Sequence, residues 1–297
     1  MPDFEFDWVD AFTDTPFGGN GCAVVHDAGS LDADTCTAFV RETSLVECTF
    51  LQPSDTATIK VRYFIAAREI PFAGHPTIAT VASMVNRGGI DLSKGSADIT
   101  LETGAGIVPI TITDGMPPRI TMTQNAPEFG AFADPAKVAA VIGLNADDIL
   151  GKPQFVSTGL PFCVTHVRDH EALSRAKMNP EALEQFRASA PMADAEVMEP
   201  YLITTKGATE AGDTFGRLLL APPHPPEDPF TGSATGCAAA YLWHHGLIDD
   251  PKYVAQQGHW MNRPGQAEVE VLGTREAIEG VRVSGSGVIL MEGKLHL

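Results

Sequence analysis

The sequence predicts an α+β protein made of two related halves, and three observations carry that reading. Short β-rich runs outnumber convincing helices along the chain, a nine-residue segment of the first half recurs without a gap in the second, and each copy leads into an apolar helical run rich in small residues. At 297 residues the chain suits one large domain or two of about half that size.

Taken in order, Phe4 to Phe12 and Cys22 to His26 read as strands around the turn Thr15-Pro16-Phe17-Gly18-Gly19-Asn20-Gly21. Leu31 to Thr43 reads as a helix, with Asp32 or Asp34 as its cap and Cys36, Phe39 and Val40 at helical spacing. Strands follow at Cys48 to Leu51 and Thr58 to Ile65, the latter placing Ile59, Val61, Tyr63 and Ile65 on one face. Ile78 to Val85 is helical and stops at Gly88, after which Ile99 to Thr103, Gly106 to Thr113 and Arg119 to Thr123 are short strands. Between Gln124 and Ala133 the text turns to Asn, Pro, Glu and Gly, and a helix capped by Asp134 with Pro135 in its first turn follows to Ile142. This marks the boundary between a first half, residues 1–127, and a second, residues 128–284. The second half repeats the alternation. Strands are expected at Gln154 to Ser157, Cys163 to Val167 and Val197 to Thr204, and helices at His170 to Lys177, Pro180 to Ser189 and Cys237 to His245, the last stopped by Gly246. A late strand pair begins at Ala267, Gly280 to Leu297 reads as two strands of a meander, and residues 222–226, Pro-Pro-His-Pro-Pro, form a short rigid loop.

Charge narrows the partners. Twenty Lys and Arg stand against 38 Asp and Glu, a net charge of −18 that repels nucleic-acid phosphates and anionic lipid headgroups. The first ten residues carry acids and no base, unlike a secretory signal, and apolar runs such as Ile78 to Val85 are broken by Thr80 and Ser83, far short of a membrane span. Five scattered cysteines without a CxxC pair argue against a disulfide scaffold or zinc knuckle, so the expected setting is reducing cytoplasm.

The repeat locates the chemistry. Glu69-Ile70-Pro71-Phe72-Ala73-Gly74-His75-Pro76-Thr77 aligns with Glu227-Asp228-Pro229-Phe230-Thr231-Gly232-Ser233-Ala234-Thr235, sharing Glu, Pro, Phe, Gly and Thr. Two such loops, each a glycine entering a helix, would present unpaired N–H groups and partial positive charge from either side of a cleft, a carboxylate-binding arrangement; the plainer reading is that both merely start buried helices. His75 at a helix start is either a turn residue or a neutral ring that hydrogen-bonds a substrate or relays a proton. Asp228 is either a cap or a carboxylate held by backbone N–H groups. Glu47 stands between Val46 and the β-like Cys48-Thr49-Phe50-Leu51, as a strand-edge acid facing water or, if buried, as a proton-transfer base of raised pKa. No dinucleotide, P-loop, HExxH or GxSxG pattern is present, and the neighbouring His244 and His245 point about 100° apart on a helix, poor geometry for one metal.

Combined in order, these segments resemble the phenazine-biosynthesis PhzF-like isomerases, which have the diaminopimelate-epimerase fold. The resemblance runs over Asp10-Ala11-Phe12-Thr13-Asp14-Thr15-Pro16-Phe17-Gly18-Gly19-Asn20, Ser44-Leu45-Val46-Glu47-Cys48-Thr49-Phe50, Arg62-Tyr63-Phe64, Glu69 to Pro76, Asp228 to Gly236 and Val283-Ser284-Gly285-Ser286-Gly287. It implies two pseudo-symmetric halves, each a curved, mostly antiparallel sheet around a central helix, with the active site in the cleft between them and the last strand, about 285–297, joining the first half. It implies a homodimer, no metal, nucleotide or pyridoxal phosphate, and a small cyclic or amino-acid-like carboxylate as substrate. By the same resemblance Glu47 takes the acid/base position, His75 and Asp228 stand beside it, Gly74, Gly232 and Ser233 line the substrate site and Asn20 borders it. Val46, Gly21 and Ala66 depart from the Ser, Pro and Pro common in the family, departures that bear on substrate choice. Two rivals follow from the same residues: a binding protein that kept the fold without turnover, and a thiol-dependent epimerase or racemase using Cys237 near a helix N-terminus, Cys48 and Cys237 both lying beside the motifs and off the slots of a two-thiol enzyme.

Overall fold

The computed structural model describes residues 3–189, 199–222 and 224–297. Its first half runs β1 (Asp3–Ala11), β2 (Asn20–Val25), α1 (Ala33–Thr43), β3 (Glu47–Gln52), β4 (Ile59–Ile65), β5 (Glu69–Ile70), α2 (Gly74–Asn86), β6 (Ser96–Thr103), β7 (Gly106–Thr113) and β8 (Arg119–Gln124). Then follow β9 (Glu128–Phe132), α3 (Pro135–Ile142), β10 (Gln154–Ser157), β11 (Pro161–His166), α4 (His170–Arg175), α5 (Pro180–Ser189), β12 (Tyr201–Thr204), β13 (Thr214–Leu219), β14 (Glu227–Asp228), α6 (Gly232–His244), β15 (Lys252–Gln257), β16 (Gly265–Gly273), β17 (Ile278–Gly285) and β18 (Gly287–His296).

The strand pairings repeat. In one set β18, β1, β2, β3 and β4 lie side by side, β4 also pairs with β5 and β6, and β6, β7 and β8 follow. In the other, β9, β10, β11, β12 and β13 take the same places, β13 pairs with β14 and β15, and β16 and β17 follow. Even the parallel pairs correspond: β2 with β3 and β4 with β6 in one set, β11 with β12 and β13 with β15 in the other. An antiparallel pairing of β8 with β17 joins the sets. Each sheet curls around one helix, α2 against β1, β2, β3, β8 and β18, and α6 against β10, β11, β12, β16 and β17. Among the described residues no helix is long and apolar enough to cross a membrane.

Both central helices are buried on every side, which explains why their sequences lack an amphipathic stripe. Small residues, Ala79 and Ala82 in α2 and Ala238 to Ala240 in α6, let the sheets approach closely. The few polar side chains of α2 fix its rotation and height. Thr77 donates to the Ala73 carbonyl and so accepts from Tyr63 Oη at 2.7 Å, Thr80 bonds Thr49, and Ser83 donates to Asp7, which also takes both Arg87 nitrogens at 2.6 and 2.8 Å. Satisfying these groups internally turns a desolvation cost into a register for the helix.

An arginine clamp is duplicated with the sheets. Arg62 on β4 grips Glu69 on β5 through Nε and Nη2 and gives Nη1 to the Leu31 carbonyl; Arg217 on β13 grips Glu227 on β14 the same way and gives Nη1 to the Leu173 carbonyl. Each clamp holds the short strand that leads into a glycine loop. The Arg217 pair is the more buried, with both side chains 12% exposed against 43% for Glu69. Glu227→Gln is therefore expected to cost about 2–3 kcal/mol in denaturant unfolding and Glu69→Gln less than about 1 kcal/mol; equal costs would show that burial does not separate the two.

Several expected elements are corrected. Residues 128–132, within the Asn-, Pro-, Glu- and Gly-bearing stretch at the boundary, form β9; their side chains are mostly exposed, so pairing with β10 and not apolar alternation makes the strand. Strands β13 and β15 escape sequence reading, the latter because Gln256 and Gln257 are among its buried residues. The last two strands are not a meander: β17 pairs with β16 and β8, while β18 crosses to β1. Helices α2 and α6 begin at their glycines, a turn earlier than the apolar runs suggest. The first residues of the strand expected from Val197 and Pro223 of the proline loop lie outside the described residues.

Candidate active site

Five segments converge where the two sets meet. Asn20 opens β2, and Glu47 opens the parallel strand β3, paired beside Cys22. His75 and Gly74 start α2, Asp228 ends β14, and Gly232 and Ser233 start α6. The loop that delivers Asn20 is held from the second half by Arg263, whose Nε bonds the Gly19 carbonyl and whose Nη2 reaches Gly18 and the buried Asp10, the latter at 2.7 Å.

The glycine loops, expected on either side of a cleft, touch. A Cβ on Gly74 would overlap the Ser233 nitrogen and the Gly232 backbone, so only glycine allows this approach. A Cβ on Gly232 would lie 2.7 Å from the ring of Phe12, a fully buried residue at φ 62° stacked on Phe230 with ring centroids 4.3 Å apart. Two helix N-termini thus bring their first-turn N–H groups and positive dipole ends to one locus.

Asn20 is the hub. Its Nδ2 lies 2.9 Å from the Phe230 carbonyl, 2.5 Å from Asp228 Oδ1 and 2.9 Å from His75 Nδ1. The Phe230 carbonyl can only accept, so the amide nitrogen must face it, and its two hydrogens serve the Phe230 carbonyl and Asp228 with His75 Nδ1 as a third neighbour. His75 Nε2 is buried without a hydrogen-bond partner among the described residues, a position that a polar ligand group would satisfy. Burial pulls the His75 pKa down to about 3, with help from the Arg263 charge and against a backbone hydrogen bond at Gly21, so the ring is neutral.

Glu47 Oε2 lies 3.5 Å from His75 Nδ1, and its side chain keeps 13% exposure. Burial, and then the charge of Asp228, pushes its pKa well above the usual carboxylate range. The sequence signal, an acid heading an otherwise apolar strand, therefore marks a shielded carboxyl, not a water-facing edge. Asp228 is raised to about 7 by burial, opposed by hydrogen bonds from Thr231 and Asn20 and aided by the charges of Glu227 and Glu199. Because the unfolded chain gives up this proton near pH 4 and the folded chain keeps it to about pH 7, the Asp228 contribution to stability falls as pH rises across that window. Asp228→Asn lacks the term, so its unfolding midpoint relative to wild type should climb between about pH 4 and about pH 7; a constant gap would mean that Asp228 titrates normally.

The thiols are placed otherwise. Cys48 packs with Phe50, Phe64 and Cys36 and is pushed up to about 12 by burial. Cys237 bonds Thr158 and the Leu160 carbonyl and is pushed up to about 11. Neither is a ready thiolate at neutral pH. A cavity of about 360 Å³ bordered by Phe12, Arg119, His259 and Gln266 has none of Glu47, His75 or Asp228 in its walls, so chemistry and not volume locates the site. Sequence reasoning missed Thr231, Gln257 and Arg263. Thr231 carried a signal, since it is polar where the first copy of the repeat has Ala73; the other two carried none.

Two curled sheets, each around one helix, joined so that the helix N-termini meet, define the diaminopimelate-epimerase-like class of α+β protein. A family model described as phenazine biosynthesis-like protein matches residues 9–293, and the chain belongs to that family. It is 33% identical over 295 residues to the uncharacterised isomerase YddE of Escherichia coli K12, covering 95% of each chain. It is 29% identical over 299 residues to the trans-2,3-dihydro-3-hydroxyanthranilate isomerase of Pseudomonas aeruginosa, covering 97% of this chain and 98% of that one. The crystal structure of the Bacillus anthracis phenazine biosynthesis protein of the PhzF family superposes with a TM-score of 0.84 at 27% identity over the whole of both chains. The chain is an isomerase of this family.

Proposed function

We propose that the enzyme moves a proton on a small cyclic or amino-acid-like carboxylate, with Glu47 as the single acid/base and without a cofactor. The observation that carries this reading is the meeting of two helix N-termini, at Gly74 and at Gly232 and Ser233, beside a shielded Glu47 and a neutral His75. Backbone N–H groups of the two first turns hold the substrate carboxylate. Glu47 takes a proton from one carbon and returns it to another, so that the electron pair left behind shifts the double bond and nothing is gained or lost overall. A raised pKa suits both steps, because the ionised form is a stronger base and the protonated form persists near neutrality. His75 and Asp228 orient polar groups of the substrate, the first through its unpartnered Nε2, and Asn20 holds both in place. This is chemistry of the dihydro-hydroxyanthranilate isomerase type, by likeness to the Pseudomonas aeruginosa relative.

The test is proton exchange in D₂O, followed by NMR, over a panel of dihydro-hydroxyanthranilate, proline and diaminopimelate analogues and aryl amino acids. Exchange at carbon in any of them supports the reading; thermal-shift binding without exchange in any of them would turn it toward a binding protein. We further read the enzyme as a cytoplasmic homodimer, from the family resemblance, which light scattering at twice 31.6 kDa would bear out and a monomer mass would overturn.

A further inference from the structure

We propose that Gln257 is a positioning residue for Asp228: its side-chain amide fixes the direction in which the Thr231 hydroxyl gives its hydrogen to the Asp228 carboxyl. The proposal rests on the reading of Asp228 as part of the active site, and it concerns what sets the state of that carboxyl.

Gln257, the last residue of β15, is fully buried, and each of its polar positions is used. Oε1 accepts from the Thr231 backbone nitrogen at 3.1 Å and from Tyr201 Oη at 3.2 Å. Nε2 donates to the Asp228 carbonyl at 2.7 Å and to Thr231 Oγ1 at 3.1 Å. The orientation of the amide is not free, because the Thr231 N–H can only donate and the Asp228 carbonyl can only accept. With Oγ1 already accepting from Gln257, the single Thr231 hydroxyl hydrogen is left for Asp228 Oδ2, 2.6 Å away. The amide thus closes the loop from Asp228 to Thr231 and aims its hydroxyl.

A hydroxyl aimed at a carboxylate favours the charged form, the effect that holds Asp228 down against its burial. The other groups facing Asp228 are Asn20 on β2, Glu47 on β3, Tyr201 on β12, and Glu227 and Glu199. All of these remain in a Gln257 variant. The first loop has no counterpart: Ala73 stands in the place of Thr231 there.

The direct test titrates Asp228 by NMR in protein carrying ¹³C at the aspartate side-chain carboxyl, with Asp228→Asn assigning the signal. Gln257→Met, close in volume and without the amide, should raise the midpoint by roughly one pH unit. Thr231→Val should raise it similarly, Thr231→Ser should leave it at the wild-type value, and adding Gln257→Met to Thr231→Val should raise it no further, because both changes break one relay. An unchanged midpoint in folded Gln257→Met overturns the proposal. Where that variant does not fold, an unchanged midpoint in Thr231→Val overturns it equally. A merely structural role for Gln257 lowers the melting temperature without moving the titration. The readout needs no substrate, so a failure here is distinct from a failure to find proton exchange.

Discussion

Glu47→Gln loses about 10²-fold to 10⁴-fold in proton exchange at carbon, the span of general acid/base catalysis, while its unfolding midpoint equals or exceeds that of wild type. Both halves of this expectation have the same origin. Gln is isosteric with the protonated acid that burial favours at position 47, so the fold loses no packing and no longer has to shield an ionisable group. The N–H groups of Gly74, Gly232 and Ser233 are untouched, so ligand binding by thermal shift persists. Exchange in the variant at the wild-type rate would remove Glu47 from the chemistry. A thiol-blocking reagent that stopped exchange would instead favour the cysteine reading, against the burial that holds Cys48 and Cys237 protonated.

Why Glu47 was legible, and Gln257 was not, follows from how each is recruited. Glu47, His75 and Asp228 sit in segments whose local sequence breaks its own pattern: an acid heading an apolar strand, a histidine entering a buried helix, an acid one residue into a repeated motif. The duplicated pairing of the sheets was likewise foreshadowed, since Glu69 and Glu227 occupy corresponding β5 and β14 and each is held by an arginine from the neighbouring strand. Gln257 and Arg263 reach the site only because β15 and β16 fold back against the loops after β14 and β1. In sequence they are an ordinary glutamine and arginine. Strand β9 shows the same limit for the fold, since its exposed side chains leave no alternation to read and its backbone pairing with β10 is a long-range fact.

Gly74→Ala should damage both stability and binding, because its added methyl falls between the two helix N-termini. Where an added Cβ meets a side chain that can turn aside, overpacking costs about 1–3 kcal/mol. Here it meets the Ser233 nitrogen and the Gly232 backbone, which are fixed in turn by the Gln124 amide on the Gly232 carbonyl and by the Phe12 ring against Gly232. The first turn of α2 cannot retreat either, because Thr77 and Thr80 lock the helix to Tyr63 and Thr49. The strain must therefore be relieved by parting the two helix N-termini, at a cost of about 3 kcal/mol or more and a fall in melting temperature on the order of 5–10 °C. Separation also divides the N–H groups that the proposed site needs together, so carboxylate binding should be lost even where the variant is folded. Gly95→Ala is the control: its φ of 85° makes alanine strained, but nothing lies within 4 Å of the added atom. It should lose about 1–2 kcal/mol and keep binding. If Gly74→Ala bound carboxylates as wild type does, the meeting of the two helix ends would be a packing contact, and the substrate carboxylate would have to be held elsewhere.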